Sequence, residues 1–245
     1  MKNFFEIYDR LIENIPTGIK VTGGLQHLRW TGVEANGNMG IAHTIDVDSV
    51  PKTMPEDIVG MDLRELAEFS KSWNFLEAAY GVAAINCYYN TEENMKKLGV
   101  FDNKGDAFDV YQEKVKGKKV AVIGRFPFLE KRLGDICDLK VLERNISKGD
   151  YPDSACEFIL PESDYVFMTG CTFVNKTVVR LLELSENAHT VIVGPTTPMS
   201  EILFDYGVND LSGFFVKDKE QCKNLISNSE GRLVLTSGEL ISLSK

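Results

Sequence analysis

VAVIGRFPFLEKRLG, residues 120–134, decides the fold. Val120 to Ile123 is an apolar run of the length of one buried strand, and Gly124 is the turn expected after it. A dinucleotide-binding strand-turn-helix would continue with two more glycines in the spacing G-x-G-x-x-G. Arg125-Phe126-Pro127 stand there instead. Pro127 suits the first turn of a helix, where its missing N–H would have had no partner in any case. The strand and the helix entry are kept; the phosphate cradle is not.

The pattern repeats downstream. KKVAVIG (118–124), LKVLER (139–144), SDYVFMTG (163–170), HTVIVGP (189–195) and GRLVLTSG (231–238) read as strands, most with helical stretches between them. Strands alternating with helices predict parallel β-α units and a sheet covered on both faces. Upstream, FFEIYDRLIENI (4–15) spaces Phe4 or Phe5, Tyr8, Leu11 and Ile12 as one face of a helix, which Pro16 and Gly18 end. GIKVTGG (18–24), LQHLRWTGVEA (25–35) and MGIAHTIDV (39–47) are short runs with Asn36-Gly37 between the last two, a strong hairpin signal. They predict an antiparallel meander, followed by helices over 61–70 and 74–86. Residues 87–117 carry no strand pattern, and TEENMKKLG and DAFDVYQEKVKG read as exposed or half-exposed helical pieces. The expected class is α/β: a small α+β domain over 1–90, a helical connecting region over 91–116, and a Rossmann-like parallel-sheet domain over 117–245.

Composition narrows the function. A net charge of −9 argues against a nucleic-acid partner, whose phosphates need a basic face. No apolar stretch is long enough to cross a bilayer, and the N-terminus, with Glu6 and Asp9 among its apolar residues, does not read as a signal peptide. The expectation is a cytoplasmic protein without a membrane partner. Five widely spread cysteines without a C-x-x-C predict reduced packing thiols rather than disulfides or a zinc site. His27, His43 and His189 have no second ligand-type residue at metal spacing, so no protein-held metal is expected. Asp46 and Asp48 in TIDVDSVP read as solvated. There is no G-x-S-x-G nucleophile elbow.

In open parallel sheets, ligands sit beyond the carboxyl ends of the strands. Those ends carry Gly124-Arg125-Phe126, Glu143-Arg144, Thr169-Gly170-Cys171-Thr172 with Asn175 and Thr177 a turn later, Gly194-Pro195-Thr196-Thr197, and Thr236-Ser237-Gly238. Glu143 lies about 20 residues beyond Gly124, where dinucleotide folds place the acid that accepts from ribose hydroxyls. With one glycine and no pyrophosphate cradle, this suits the ribose of an adenosyl methyl donor better than a nicotinamide dinucleotide; the alternative is a surface pair with Arg125 or Arg144. Arg125 would place a cation at the crevice, suited to a compact, partly anionic ligand, or is a solvated loop arginine. One of Thr196 and Thr197 would cap a helix over 199–206, leaving the other for a ligand. Asn86, on the apolar stripe of the 74–86 helix, either ties down a backbone group or reaches into an interdomain cleft. That helix could pack inside the chain or against a second copy in a homodimer.

GKKVAVIGRFPFLEKRL, LERNISKGDYPDSACEFILPESDYVFMTGCTFVNKTVVRLLELS and VIVGPTTPMSEILFDYGVNDLSG, with NFLEAAYGVAAINCYYN upstream, resemble the putative heavy-metal chelation family, above all in the T-G…V-N-K-T and G-P-T-T-P blocks. The resemblance implies an N-terminal domain similar to the enolase N-terminal fold, a Rossmann-like domain with partial likeness to methyltransferases, and a ligand site between them. It implies condensation or hydrolysis in flavin, pterin or siderophore-like chelator metabolism, linked to heavy-metal handling. The expected ligand is a small organic molecule, adenosyl-methionine-like or pterin/flavin-like, oriented by Glu143 and Arg125. Glu143 is the candidate catalytic base, and Gly124, Phe126, Arg144, Thr169, Gly170, Asn175, Thr177, Gly194, Pro195, Thr196, Thr197 and Asn86 complete the candidate binding set. A non-catalytic module for a metal chelate or a nucleotide-type ligand is the alternative.

Overall fold

The computed structural model describes residues 3–47, 49–100, 107–127 and 129–245. Asp48, the stretch 101–106 of the connecting region and Phe128 lie outside the described residues. Asn36 and Gly37 both take left-handed φ values, 49° and 78°, as a two-residue type I′ turn requires. The flanking strands β2 (Trp30–Ala35) and β3 (Asn38–His43) therefore pair directly, and β1 (Val21–Gln26) adds to the other side of β2, giving the antiparallel order β1-β2-β3. Helices α1 (Glu6–Glu13), α2 (Leu63–Glu68) and α3 (Phe75–Tyr89) complete this part. A β-carbon on Gly40 would lie 2.0 Å from the Cys87 nitrogen, so α3 rests flush on β3. Its small residues Ala78, Ala79, Ala83 and Ala84 are fully buried, and α3 packs inside the chain.

After α4 (Glu92–Lys97) and α5 (Ala107–Tyr111), the second half builds a seven-stranded sheet in the order β10-β9-β8-β7-β4-β5-β6. Its strands are β4 (Lys119–Ile123), β5 (Asp138–Glu143), β6 (Tyr151–Pro152), β7 (Tyr165–Thr169), β8 (His189–Val193), β9 (Asp210–Val216) and β10 (Gly238–Ser244). All neighbours are parallel except β9 and β10. The first six follow the doubly wound order 3-2-1-4-5-6, whose reversal, the topological switch point, lies between β4 and β7. Helices α6 (Leu129–Leu133), α7 (Cys156–Ile159), α8 (Cys171–Val174) and α9 (Val178–Leu184) lie in crossovers, and α10 (Lys219–Ser227) joins the antiparallel neighbours β9 and β10.

One expected strand is corrected. GRLVLTSG forms consecutive 3₁₀ turns over Gly231–Ser237, with Leu233 half exposed beside a fully buried Val234. Three apolar residues cannot distinguish a strand from a helical turn. The sixth parallel strand is DLSGFFV, disguised by Asp210, Ser212 and Gly213. At Gly213 a β-carbon would meet the Met199 sulfur at 2.4 Å, so a larger residue there would displace the Met199 side chain. The turn 236–238 still reaches the expected sheet edge, because antiparallel β10 starts opposite Val216. The expected helix over 199–206 is likewise a 3₁₀ segment, Glu201–Tyr206, capped by Ser200, whose hydroxyl accepts from the Ile202 N–H. Neither Thr196 nor Thr197 is its cap.

The two halves share one apolar core. Ile7, Leu11, Val33 and Ala83 from the first lie in the same buried cluster as Val166, Met168, Phe173, Ile192 and Leu211 from the second. The seam is also hydrogen-bonded. Asn90, at the end of α3, donates to the carbonyls of Thr197 (2.9 Å) and Phe214 (3.0 Å) and accepts from the Met199 N–H (2.9 Å). The free edge of β3 is satisfied by side chains: Asn86 donates to the Ile41 carbonyl at 2.8 Å, and the His43 N–H donates to the Thr196 hydroxyl at 2.9 Å. Tyr8 donates its hydroxyl proton to the Phe173 carbonyl at 2.9 Å.

Replacing Asn90 by Ala strands the buried Met199 N–H and two carbonyls, each worth about 1–3 kcal/mol when unpaired. A loss of about 3 kcal/mol in urea unfolding is expected. Asn90→Asp should be no better, since a carboxylate would face two carbonyls. A pH effect belongs to Glu77, whose side chain is buried. Burial pushes its pKa up, but donors from Ser72 (2.6 Å), the Met54 N–H (2.6 Å) and the Thr53 N–H and hydroxyl outweigh it, and the carboxyl is held below its usual range. Its stabilisation is thus complete above the unfolded value near pH 4.5 and lost as pH falls through the lower folded value. Acid titration of stability should show this loss, and Glu77→Gln should flatten that part of the curve.

Candidate functional site

The carboxyl edge of the large sheet is built from turns whose backbone is already committed. The Gly124 N–H donates to the Leu142 carbonyl (3.0 Å), Gly170 to Val193 (2.9 Å) and Gly194 to Ser212 (2.8 Å). Gly124 has φ 92°, and a β-carbon there would meet the Thr169 methyl at 2.9 Å, so the turns after β4 and β7 touch across the switch point. The next N–H is that of Arg125, in the turn where a nucleotide fold presents free N–H groups to phosphate. It donates instead to Glu143 Oε2 at 2.9 Å, while the Arg144 N–H donates to Glu143 Oε1 at 2.8 Å. The half-buried Glu143 carboxylate is therefore the anion of this turn.

That arrangement redirects Arg125. Its guanidinium bonds Asp150 through Nη2 and, at 3.3 Å, through Nε, and Glu130 through Nη1 at 2.7 Å. The Asp150 side chain is 1% exposed, and its hydrogen bond from Arg125 holds the carboxyl below its usual range. The expected crevice cation is thus absorbed by two acids. Arg144 turns outward to Asp153 at 3.1 Å. Neither Arg125 nor Arg144 is left as an unpaired cation at this edge.

Around Glu143 the crevice is bounded by Gly124, Thr169 and, further along, Gly194 and Pro195, all half-buried. Phe126 reaches across the sheet edge to within 4.0 Å of the β-carbon position of Gly194. Cys171 opens α8 with its N–H on the Thr169 hydroxyl at 3.3 Å. Its thiol lies between the hydroxyls of Thr169 and Thr196, and burial pushes its pKa up.

Thr196 and Thr197 lie deeper, at 2% and 0% exposure, under the first half of the chain. Gly170 is where the β7 and β8 turns meet, because a β-carbon would sit 2.6 Å from the Thr197 nitrogen. Thr197 Oγ1, Asn86 Oδ1 and His43 Nδ1 are buried without hydrogen-bond partners, all three on the seam between the halves. Burial, with Arg29 nearby, pushes the His43 imidazole pKa down. Asn175 and Thr177 do not join the crevice; Asn175 Oδ1 accepts from the Thr177 N–H (3.1 Å) and hydroxyl (2.6 Å) within their own turn. Asn86 is spent on the edge of β3. Sequence reasoning missed Asn90, although N-C-Y-Y-N repeats an amide at helical spacing, placed Cys171 in the turn but read it as a packing thiol, and missed Asp150, whose role depends on contacts made by turns far apart in sequence.

The fold defines a two-part α/β protein, a small antiparallel sheet with helices joined to a large, mostly parallel sheet of doubly wound order. Family models described as putative heavy-metal chelation match residues 8–89 and 106–240, and the chain belongs to that family. It is similar to a crystal structure of a DUF364-family protein of unknown function from Desulfitobacterium hafniense, at 40% identity and a TM-score of 0.92, with 99% of each chain covered. A second DUF364-family structure of unknown function, from Pyrococcus horikoshii, shares the fold at 23% identity and a TM-score of 0.85, also over 99% of each chain. An uncharacterized protein of Methanocaldococcus jannaschii is 28% identical over 203 residues, 77% of this chain and 75% of that one. Among the described residues, no group of three or more His, Cys, Asp or Glu side chains could hold a metal ion, and no helix is long and apolar enough to cross a membrane.

The contact at Gly170 is with backbone, which cannot yield. Gly170→Ala should therefore force the β8 turn outward and lower stability by about 2 kcal/mol, measurable as a shift of the urea midpoint with unchanged slope.

Proposed function

We propose that the crevice beyond β4, β5 and β7 binds a small organic ligand through that ligand's hydrogen-bond donors, with Glu143 as the acceptor. One observation carries this reading: Glu143 is fixed by two main-chain N–H groups, from the turns after β4 and β5. A carboxylate has about four lone-pair sites, so acceptor capacity remains after those two bonds. A ribose diol, the amino edge of a pterin, the imide N–H of a flavin or the hydroxyls of a catechol-type chelator supplies the matching donors. The Cys171 thiol and Thr169 hydroxyl add weaker polar contacts on the neighbouring turn.

The family description supplies the link to heavy metals. A metal would arrive here as a chelate, the organic ligand providing most of its donors. A carboxylate pinned at both oxygens suits a fixed acceptor better than a proton carrier, which favours a binding role. In the enzymatic reading, a condensation or hydrolysis in flavin, pterin or siderophore-like chelator metabolism, Glu143 is the base.

A thermal-shift screen of metal-free protein tests this, with adenosyl-methionine, pterins, flavins, catechol chelators with and without metal, and bare divalent ions. A ligand at a hundred times its Kd adds about 2.7 kcal/mol, so a raised Tm is expected with an adenosyl, pterin, flavin or chelator compound and should shrink in Glu143→Gln. If Glu143 only accepts hydrogen bonds, affinity falls moderately; if it moves a proton, turnover collapses while binding survives. A shift with bare metal alone, insensitive to every organic compound, overturns the proposal.

A further inference from the structure

The turn between α8 and α9 carries Asn175-Lys176-Thr177, and Lys176 has φ 68°. A left-handed backbone is unfavourable for a residue with a β-carbon, by roughly 1–2 kcal/mol. Here the Asn175 side chain holds the turn by accepting from both the N–H and the hydroxyl of Thr177. Strain of this kind concentrates at functional positions.

The side chain of Lys176 lies half-buried on the seam between the two halves. Its Nζ donates to the Val174 carbonyl at 2.7 Å and stands 5.8 Å from the centroid of the Phe75 ring, at the start of α3. Among the described residues no carboxylate pairs with it. Lys71, Lys96, Lys97, Lys217 and Lys223, by contrast, each rest on an acid. A single carbonyl and a ring face do not replace the water that an ammonium loses on burial, and desolvation pushes the amine's pKa down to about 7. A large fraction is then unprotonated near neutrality, with a free lone pair. Desolvated lysines in apolar surroundings are the amines that form Schiff bases.

We propose that Lys176 is a carbonyl-reactive amine, a site at which an aldehyde or ketone is captured as an imine. The Nζ lone pair adds to the carbonyl carbon, and a proton passes from nitrogen to oxygen to give a carbinolamine. The C–O bond then breaks and oxygen leaves as water, giving the C=N bond with no change of oxidation state. The site is separate from the crevice at Glu143 and does not depend on the ligand assigned there.

Reductive alkylation of the native protein with propanal and cyanoborohydride, read by peptide mass spectrometry, tests the proposal. At pH 7, Lys176 should be labelled on the order of tenfold faster than acid-paired surface lysines such as Lys96, because an ordinary lysine has a pKa of about 10.4 and is almost wholly protonated there. Its rate should level off above about pH 7, while rates at the others keep rising to pH 9. In urea the preference should vanish, and in Lys176→Arg the label should be absent from that peptide. A Lys176 rate and pH profile like those of the surface lysines overturns the proposal. So does a Lys176 left unlabelled while they react, or a preference that survives unfolding.

Discussion

Three hydrogen bonds of the Asn90 amide, two to the turn after β8 and one to β9, tie this edge to α3, and much of the carboxyl edge inherits its shape from that turn. Both amide protons and the amide oxygen are used, on Thr197, Phe214 and Met199. With the 197–199 backbone pinned to α3, Thr196 meets the edge of β3 and Thr197 lies against Gly170. The small sheet is consequently locked to the large one by backbone-level contacts as well as by the shared core. An amide is needed for this, because no other uncharged side chain offers two donors and an acceptor in a plane.

The same edge shows how a Rossmann topology can be kept while its ligand chemistry is changed. A phosphate-binding turn leaves backbone N–H groups free for an anion. Here Glu143, reaching from the neighbouring strand, takes the N–H groups of both turns and brings its own negative charge. Arg125 is drawn off to the buried Asp150 and to Glu130. Loss of two glycines and gain of an internal carboxylate are thus one change. A turn that receives its anion from the protein has no need to approach a pyrophosphate.

Much of this was legible in the sequence because it rests on local rules. Asn36-Gly37 announced the hairpin, the apolar runs announced the parallel strands, and the single glycine with an acid on the next strand marked the two turns that Glu143 joins. The fifth run was misread because LVL buries one side of a helical turn as readily as one face of a strand, and DLSGFFV was passed over because burial between β8 and β10 does not require a continuous apolar run. Arg125 was misdirected for a different reason. Its partner Asp150 lies beyond β5 in a loop with no periodicity, and the pairing exists only once β4 and β5 are in register. The pairing of Asn90 with the turn after β8 is likewise a tertiary fact, though the i, i+4 amides on α3 were a visible hint.

The seam combines rigidity with unmet polarity. Asn90, Asn86, Thr196 and Tyr8 satisfy backbone groups across or beside it, yet Thr197 Oγ1, Asn86 Oδ1 and His43 Nδ1 are left without partners, and Lys176 is left without an acid. Each such group costs stability when buried, and an apolar core of the same shape would hold the halves together as well. Their concentration between the halves, beside the crevice, is the pattern expected where polar groups are kept for chemistry rather than for folding. Under the two proposals the sites would take different ligand groups, hydrogen-bond donors at Glu143 and a carbonyl carbon at Lys176.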